Sequence, residues 1–255
     1  MTGPLLSING ASKYFGGLKA VDGVDFDVLP REILGILGPN GAGKTVLFNL
    51  ISGIYEPTAG EIRFQGERID GLPPHLIAQR GMGRTFQIVK PFGSLTVLEN
   101  VLVARGVARY GHLAKIWGPW GSKAEIREAM GVLDKVGLAE LAQRKASLLP
   151  LGNLRRLEIA RALIVGHTAL LLDESFSGLR HDEIGQLERL IRRIRDDGRT
   201  IILIEHNMRV TMGLCDRIVV LDHGRKIAEG PPKDIQQDEA VIEAYLGRKG
   251  IGHAS

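Results

Sequence analysis

The chain has 255 residues, 44% hydrophobic and 24% charged, which argues against general disorder and suffices for one large core or a core with a lobe attached. Its net charge of +4 is spread among interleaved acids and bases, as in "RLIRRIRDDGR", so no single basic block marks a nucleic-acid protein and a small anionic ligand is at least as well served. A single cysteine, Cys215, excludes an internal disulfide framework and reads as a small, inert, buried apolar residue.

The opening "MTGPLLSING" lacks the basic flank and apolar core of a signal peptide, and no uncharged apolar run approaches the roughly 18 residues of a membrane-spanning helix. A soluble, cytoplasmic chain is expected. Strand patterning dominates the first 70 residues: "GVDFDV" places Val24, Phe26 and Val28 on one face, and "EIRFQG" does the same with Ile62 and Phe64. Set into this meander, "EILGILGPNGAGKTVLFNLISGI" has an apolar run from Ile33 to Leu37, then a Gly-rich loop. Val46, Leu47, Leu50, Ile51 and Ile54 follow at helical spacing, so the order is strand, loop, helix.

The loop runs Gly38, Pro39, Asn40, Gly41, Ala42, Gly43, Lys44, Thr45 and fits the phosphate-loop pattern. In that pattern backbone amides wrap the phosphates, the lysine reaches the terminal ones and the threonine hydroxyl binds Mg²⁺. The four fixed positions arise by chance in only about one chain of this length in a hundred. The expected ligand is a nucleoside triphosphate.

From about Leu95 to Leu163 the pattern is helical. Ser122 and Glu125 form a predicted capping box ahead of Ile126, Met130 and Leu133, with Gly137 as the stop. "RYGHLAKIWGPWGSK" reads as a surface excursion whose Trp117 and Trp120 are packed or partner-facing. In "LLPLGNLRRLEIARAL", Asn153 is the expected N-cap of a helix that places Leu154, Leu157 and Ala160 on one side.

Two nearly continuous apolar runs, "ALLLDE" and "TIILIEH", then read as parallel strands buried on both faces, with an amphipathic stretch from Glu183 to Ile194 between them. "RIVVLDHGRKIAEG" reads as a hairpin turning near Asp222 to Gly224. Two carboxylates at a strand end, Asp173 and Glu174, commonly do no more than cap it. Beside a phosphate loop, Asp173 is expected to hold the Mg²⁺ shell and Glu174 to orient or deprotonate an attacking water. His206, closing the second run, is placed to hydrogen-bond a terminal phosphate. The fold class is α/β, a P-loop NTPase (RecA-like) core with an antiparallel β subdomain and an inserted α-helical subdomain.

"GPNGAGKT", "RTFQ", "LPLGNLRR", "LLLDE" and His206, in that order, resemble the ATP-binding subunits of ABC transporters from about Leu5 to Leu246. "GRTFQIVKPFGSLTVLENVLVA" and the ending "VIEAYLG" are similar to the branched-chain amino acid importers of that family, while urea or amide importers and a lipopolysaccharide-export ATPase share much of this wording. The resemblance implies one ATPase domain over 5–248, with a helical subdomain at about 92–163, and a tail at 249–255. It implies ATP and Mg²⁺, with Phe15 stacking on adenine and Tyr14 as the runner-up. Gln87 would be a catalytic water and Mg²⁺ contact that senses the membrane partner, and Asp173 would reach the metal through water.

Two such subunits face each other in the family, so Pro150, Leu151, Gly152 and Asn153, standing where "LSGGQ" is expected, would address the partner's ATP. The family's serine hydroxyl has no counterpart in proline; a hydrogen bond to a charged group is worth about 1.5–3 kcal/mol, roughly a 10- to 150-fold effect. Ser175 also departs from a usual proline, and Arg180 from a usual aspartate or asparagine at the dimer seam. The implied partners are a second ABC ATPase subunit (a heterodimer favoured over a homodimer), permease subunits and, indirectly, a periplasmic or extracellular solute-binding protein, with no nucleic acid. The implied place is the cytoplasmic face of the inner (plasma) membrane. A soluble ABC-type ATPase would carry a second cassette or a long coiled coil. A non-hydrolysing regulatory module sits poorly with Glu174 and His206, and a GTP-specific protein with the lack of an "NKxD" motif.

Overall fold

Period-two alternation at the start of the chain becomes a sheet with one buried face. The computed structural model describes residues 3–85, 91–110 and 121–246, so Gln87, Trp117, Trp120 and the tail at 249–255 lie outside the described residues. The chain divides into two units, Met1–Pro74 with Thr200–Ser255, and His75–Arg199. The first unit begins β1 (Leu6–Phe15), β2 (Leu18–Val28), β3 (Ile33–Leu37), α1 (Lys44–Ile51), β4 (Ala59–Phe64) and β5 (Glu67–Arg68). β1 pairs antiparallel with both β2 and β4 in a sheet of order β2-β1-β4-β5. Val24, Phe26, Val28, Ile62 and Phe64 are all buried, as their alternation predicts. α1 stops at Ile51 because Gly53 takes a left-handed φ of 73°, a helix-ending conformation, so Ile54 lies beyond the helix and is exposed.

The second unit holds α2 (Pro74–Gln79), β6 (Met82–Arg84), α3 (Val97–Tyr110), α4 (Lys123–Lys135), α5 (Leu151–Val165), β7 (Ala169–Asp173) and α6 (His181–Asp196). Both halves of the Ser122/Glu125 capping box form at the start of α4, and Gly137 follows its end with φ 73°. α5 departs from expectation twice. It begins at Leu151 with Pro150 as N-cap, because proline needs no donor there and its carbonyl accepts the Asn153 and Leu154 amides, each at 3.0 Å; Asn153 is already inside the helix. Nor is it one-sided: Arg155, Leu157, Glu158, Ile159, Ala160, Ala162 and Leu163 are all buried, the two charged residues as an Arg155–Glu158 pair. α6 shows the predicted stripe, with Leu187, Leu190, Ile191 and Ile194 buried. β6 and β7 run parallel, Met82 opposite Ala169 and Arg84 opposite Leu171.

The first unit resumes with β8 (Thr200–Ile204), α7 (Met208–Leu214), β9 (Arg217–Asp222), β10 (Arg225–Gly230), α8 (Pro232–Gln237) and α9 (Glu239–Leu246). β3 lies between β8 and β9, parallel to both, and β10 folds back antiparallel on β9. Every residue of β3 and β8 is buried, which accounts for their unbroken apolar runs. The β9–β10 turn is made by His223 and Gly224, both at positive φ, as a two-residue hairpin requires. Cys215 is in no disulfide and is buried, its sulfur packed beside Gly35 of β3.

Candidate functional site

β3 delivers the chain into the Gly-rich loop and α1 receives it. Gly43 is the N-cap of α1 at φ 97°, and a Cβ there would overlap the Ala20 carbonyl oxygen; a Cβ on Gly38 would overlap that of Leu221. Both positions therefore demand glycine. α1 has no side-chain cap and no acidic residue in its first turn. Its first amides, which no helix satisfies internally, and the positive end of its dipole suit an anion. Asn40, Gly41 and Thr45 are exposed, while Lys44 is buried and donates from Nζ to the Gly38 and Pro39 carbonyls at 2.7 and 2.9 Å.

The back of the loop is gripped by the end of the chain. The Ala42 carbonyl accepts the Gly224 amide at 3.1 Å, and the Gly38 amide donates to the Tyr245 hydroxyl at 2.9 Å. Burial pushes the Tyr245 phenol up, and the Gly38 amide opposes that shift. Sequence reasoning missed this residue, although "VIEAYLG" contains it.

Phe15 ends β1 with 42% of its surface exposed, its ring edge-on to Tyr55 at 5.4 Å. Tyr14 instead donates its hydroxyl to Asp22 at 2.7 Å, which leaves Phe15 the ring more open to a flat partner. His206 is exposed and does not close β8: that strand ends at Ile204, and Asn207 already turns the chain by accepting the Val210 amide to cap α7.

In the second unit, buried Asp173 ends β7 with its carboxylate accepting from Arg84 at 3.2 Å and its amide donating to the Thr85 hydroxyl at 3.1 Å. Burial draws the Arg84 guanidinium below its ordinary value, and Asp173 opposes that shift. Ser175 places its hydroxyl 3.5 Å from that of Thr85. Arg84 and Thr85 stand in the quoted "RTFQ", but nothing local in that stretch announces their reach to β7. Glu174, half-buried, holds a left-handed φ of 47°, a conformation that costs a non-glycine residue about 1–3 kcal/mol and tends to cluster at functional sites.

At the start of α5, Leu151 is exposed and Gly152 lies against α6, where a Cβ would stand 2.5 Å from a Glu183 carboxylate oxygen. That same carboxylate group accepts the Arg180 amide at 3.0 Å, and the exposed Arg180 guanidinium pairs with Asp182 and Glu183.

The family described as "ABC transporter" matches residues 21–177, more than half of the chain, and that described as "Branched-chain amino acid ATP-binding cassette transporter" matches residues 225–250. The high-affinity branched-chain amino acid transport ATP-binding proteins BraF of Pseudomonas aeruginosa and LivG of Escherichia coli are 42% and 43% identical to it, each over 97% of this chain and 99% of the relative. The chain belongs to the ATP-binding cassette family of ABC transporters. A solved nucleotide-free cassette of an ABC transporter superposes with a TM-score of 0.88 at 30% identity, covering 96% of this chain and all of that one. A cassette in its ADP conformation gives 0.88 at 31% identity, with the same coverage. This cassette is thus an ABC ATPase of the α/β P-loop fold with antiparallel and helical parts. Among its described residues no helix is long and apolar enough to cross a membrane.

Proposed function

We propose that this cassette is the ATP-binding and hydrolysing subunit that powers an importer of branched-chain or related amino acids. The observation that carries the reading is the uncapped start of α1, with Lys44 folded across a loop whose packing admits only glycine at Gly38 and Gly43. Near-full-length similarity to branched-chain amino acid transport ATP-binding proteins supports the substrate class.

In this reading the whole of 5–248 is one ATPase domain, with a helical subdomain at about 92–163. Phe15 stacks on adenine, and the amides of Gly38 to Thr45 with Lys44 bind the phosphates. The Thr45 hydroxyl and Asp173 carboxylate are hard oxygen donors of the kind Mg²⁺ accepts, and together with Gln87 they would hold it, Asp173 through water. Bound there, the ion supplies charge neutralisation to the phosphate oxygens. Glu174 takes a proton from water as the water oxygen attacks the γ-phosphorus and ADP departs, while His206 hydrogen-bonds the transferring phosphate. Pro150 to Asn153 face the ATP of a second cassette, a heterodimer being the favoured pair. Permease subunits hold the pair at the cytoplasmic face of the membrane and receive solute from a binding protein.

The test is Glu174→Gln in vesicles containing the complete transporter. Turnover is expected to fall about 10²- to 10⁴-fold with ATP affinity retained, and leucine uptake to fall with it. Unchanged turnover sinks the assignment of Glu174, and wild-type vesicles that hydrolyse ATP without importing leucine, isoleucine or valine sink the substrate class.

A further inference from the structure

Gly38 is held from both sides of its peptide geometry. Its carbonyl accepts from Lys44 Nζ at 2.7 Å, and its amide donates to the Tyr245 hydroxyl at 2.9 Å. The two partners differ in what a nucleotide would do to them. A triphosphate competes for the Lys44 ammonium, because a phosphate oxygen is a stronger acceptor for a cation than a carbonyl is. The tyrosine carries no charge and lies on α9, so the anion has no comparable pull on it.

α9 has other anchors besides this contact. Val241 buries one face of the helix, with its amide capped by the Asp238 carboxylate at 3.1 Å, and Ile235 anchors the preceding α8. The hydroxyl is therefore a point of contact between a separately anchored helix and the first residue of the phosphate loop. Around it, Leu221 of β9 packs directly behind Gly38, and Gly224 donates to Ala42.

We propose that Tyr245 is a positioning residue for nucleotide binding: through the Gly38 amide it fixes the entry of the phosphate loop, and so links the order of the C-terminal helix to nucleotide occupancy. The inference rests on the loop being the nucleotide site. When Lys44 turns from the Gly38 carbonyl to the phosphates, the tyrosine remains to hold that residue in the conformation the loop requires. Because linkage is reciprocal, an occupied loop should in turn hold α9 more firmly.

The experiment uses the full chain with ADP and magnesium, comparing wild type with Tyr245→Phe, which keeps the ring and removes the hydroxyl. Titration calorimetry is expected to show ADP binding weakened about 2- to 10-fold, the value of one uncharged hydrogen bond. Hydrogen exchange is expected to quicken at Gly38 without nucleotide. Addition of ADP should slow exchange across residues 239–246 in the wild type and do so less in the variant. A purely structural tyrosine would instead lower the unfolding midpoint of the nucleotide-free chain and leave α9 indifferent to ADP. Equal ADP affinity in both proteins, or α9 exchange unmoved by ADP in the wild type, overturns the proposal. A wild type that fails to bind ADP at all overturns the nucleotide reading along with it.

Discussion

At the end of β7 a buried carboxylate and a largely buried guanidinium share one position, Asp173 with 3% and Arg84 with 11% of their side chains exposed. Breaking a buried pair by removing one partner typically costs about 3–5 kcal/mol. Arg84→Ala is accordingly expected to lower the urea-unfolding free energy of the chain by about that amount, and an unchanged unfolding midpoint contradicts the account. At this scale the sequence was uneven. The phosphate loop and Asp173 were legible because each follows an apolar strand run, and a strand-end carboxylate, commonly only a cap, gains a second reading beside a phosphate loop. Arg84 was not, since an arginine two residues into a short strand looks like any surface cation until the parallel pairing of β6 with β7 brings it inside. The choice of Phe15 over Tyr14 rests on resemblance, and the folded β-meander adds to it the Tyr14 hydrogen bond to Asp22.

Between elements, Asp22 of β2 ties three strands together. It accepts from Arg225 of β10 at 2.6 Å and from Tyr14 of β1 at 2.7 Å, with Lys19 at 3.4 Å. Those partners, Arg225 foremost and then Tyr14, lower its pKa from 3.8 to about 2. A carboxylate whose folded pKa is depressed adds stability above its unfolded value and loses it as pH falls toward the folded one. The stability gap between wild type and Asp22→Asn should thus be full at neutral pH, narrow below about pH 4 and close near about pH 2 in unfolding titrations. A gap independent of pH contradicts the role given to Asp22. The helices teach a related lesson. Periodicity placed α6 correctly because one of its faces meets solvent, but it misjudged α5, whose buried residues are not confined to one stripe and include the paired Arg155 and Glu158. Its start was misread because Asn153 is the stronger capping residue by type, whereas Pro150 has the backbone geometry that begins the helix.

For the whole transporter ATPase, the consequential departure is Pro150, which leaves α5 without a side-chain cap. Pro150→Ser separates two effects. In the isolated chain, a serine N-cap is expected to add roughly 1 kcal/mol of stability. With the partner cassette and permease present, it should raise the activity or nucleotide affinity of the partner's site, by up to about 10- to 150-fold if nothing now replaces the hydroxyl. If every rate and affinity in the assembled transporter stays the same, the proline does not weaken a site. The sequence by itself determined the phosphate loop, the strand-end carboxylates, most strands and the helix caps of α4, because each is written in neighbours a few positions apart and follows from local spacing. Only the tertiary structure decided that Arg84 meets Asp173, 89 positions away, and that Tyr245 holds Gly38 across 207. Such contacts arise when the hydrophobic core brings distant segments together, and no local period in the chain records which polar groups will then face each other.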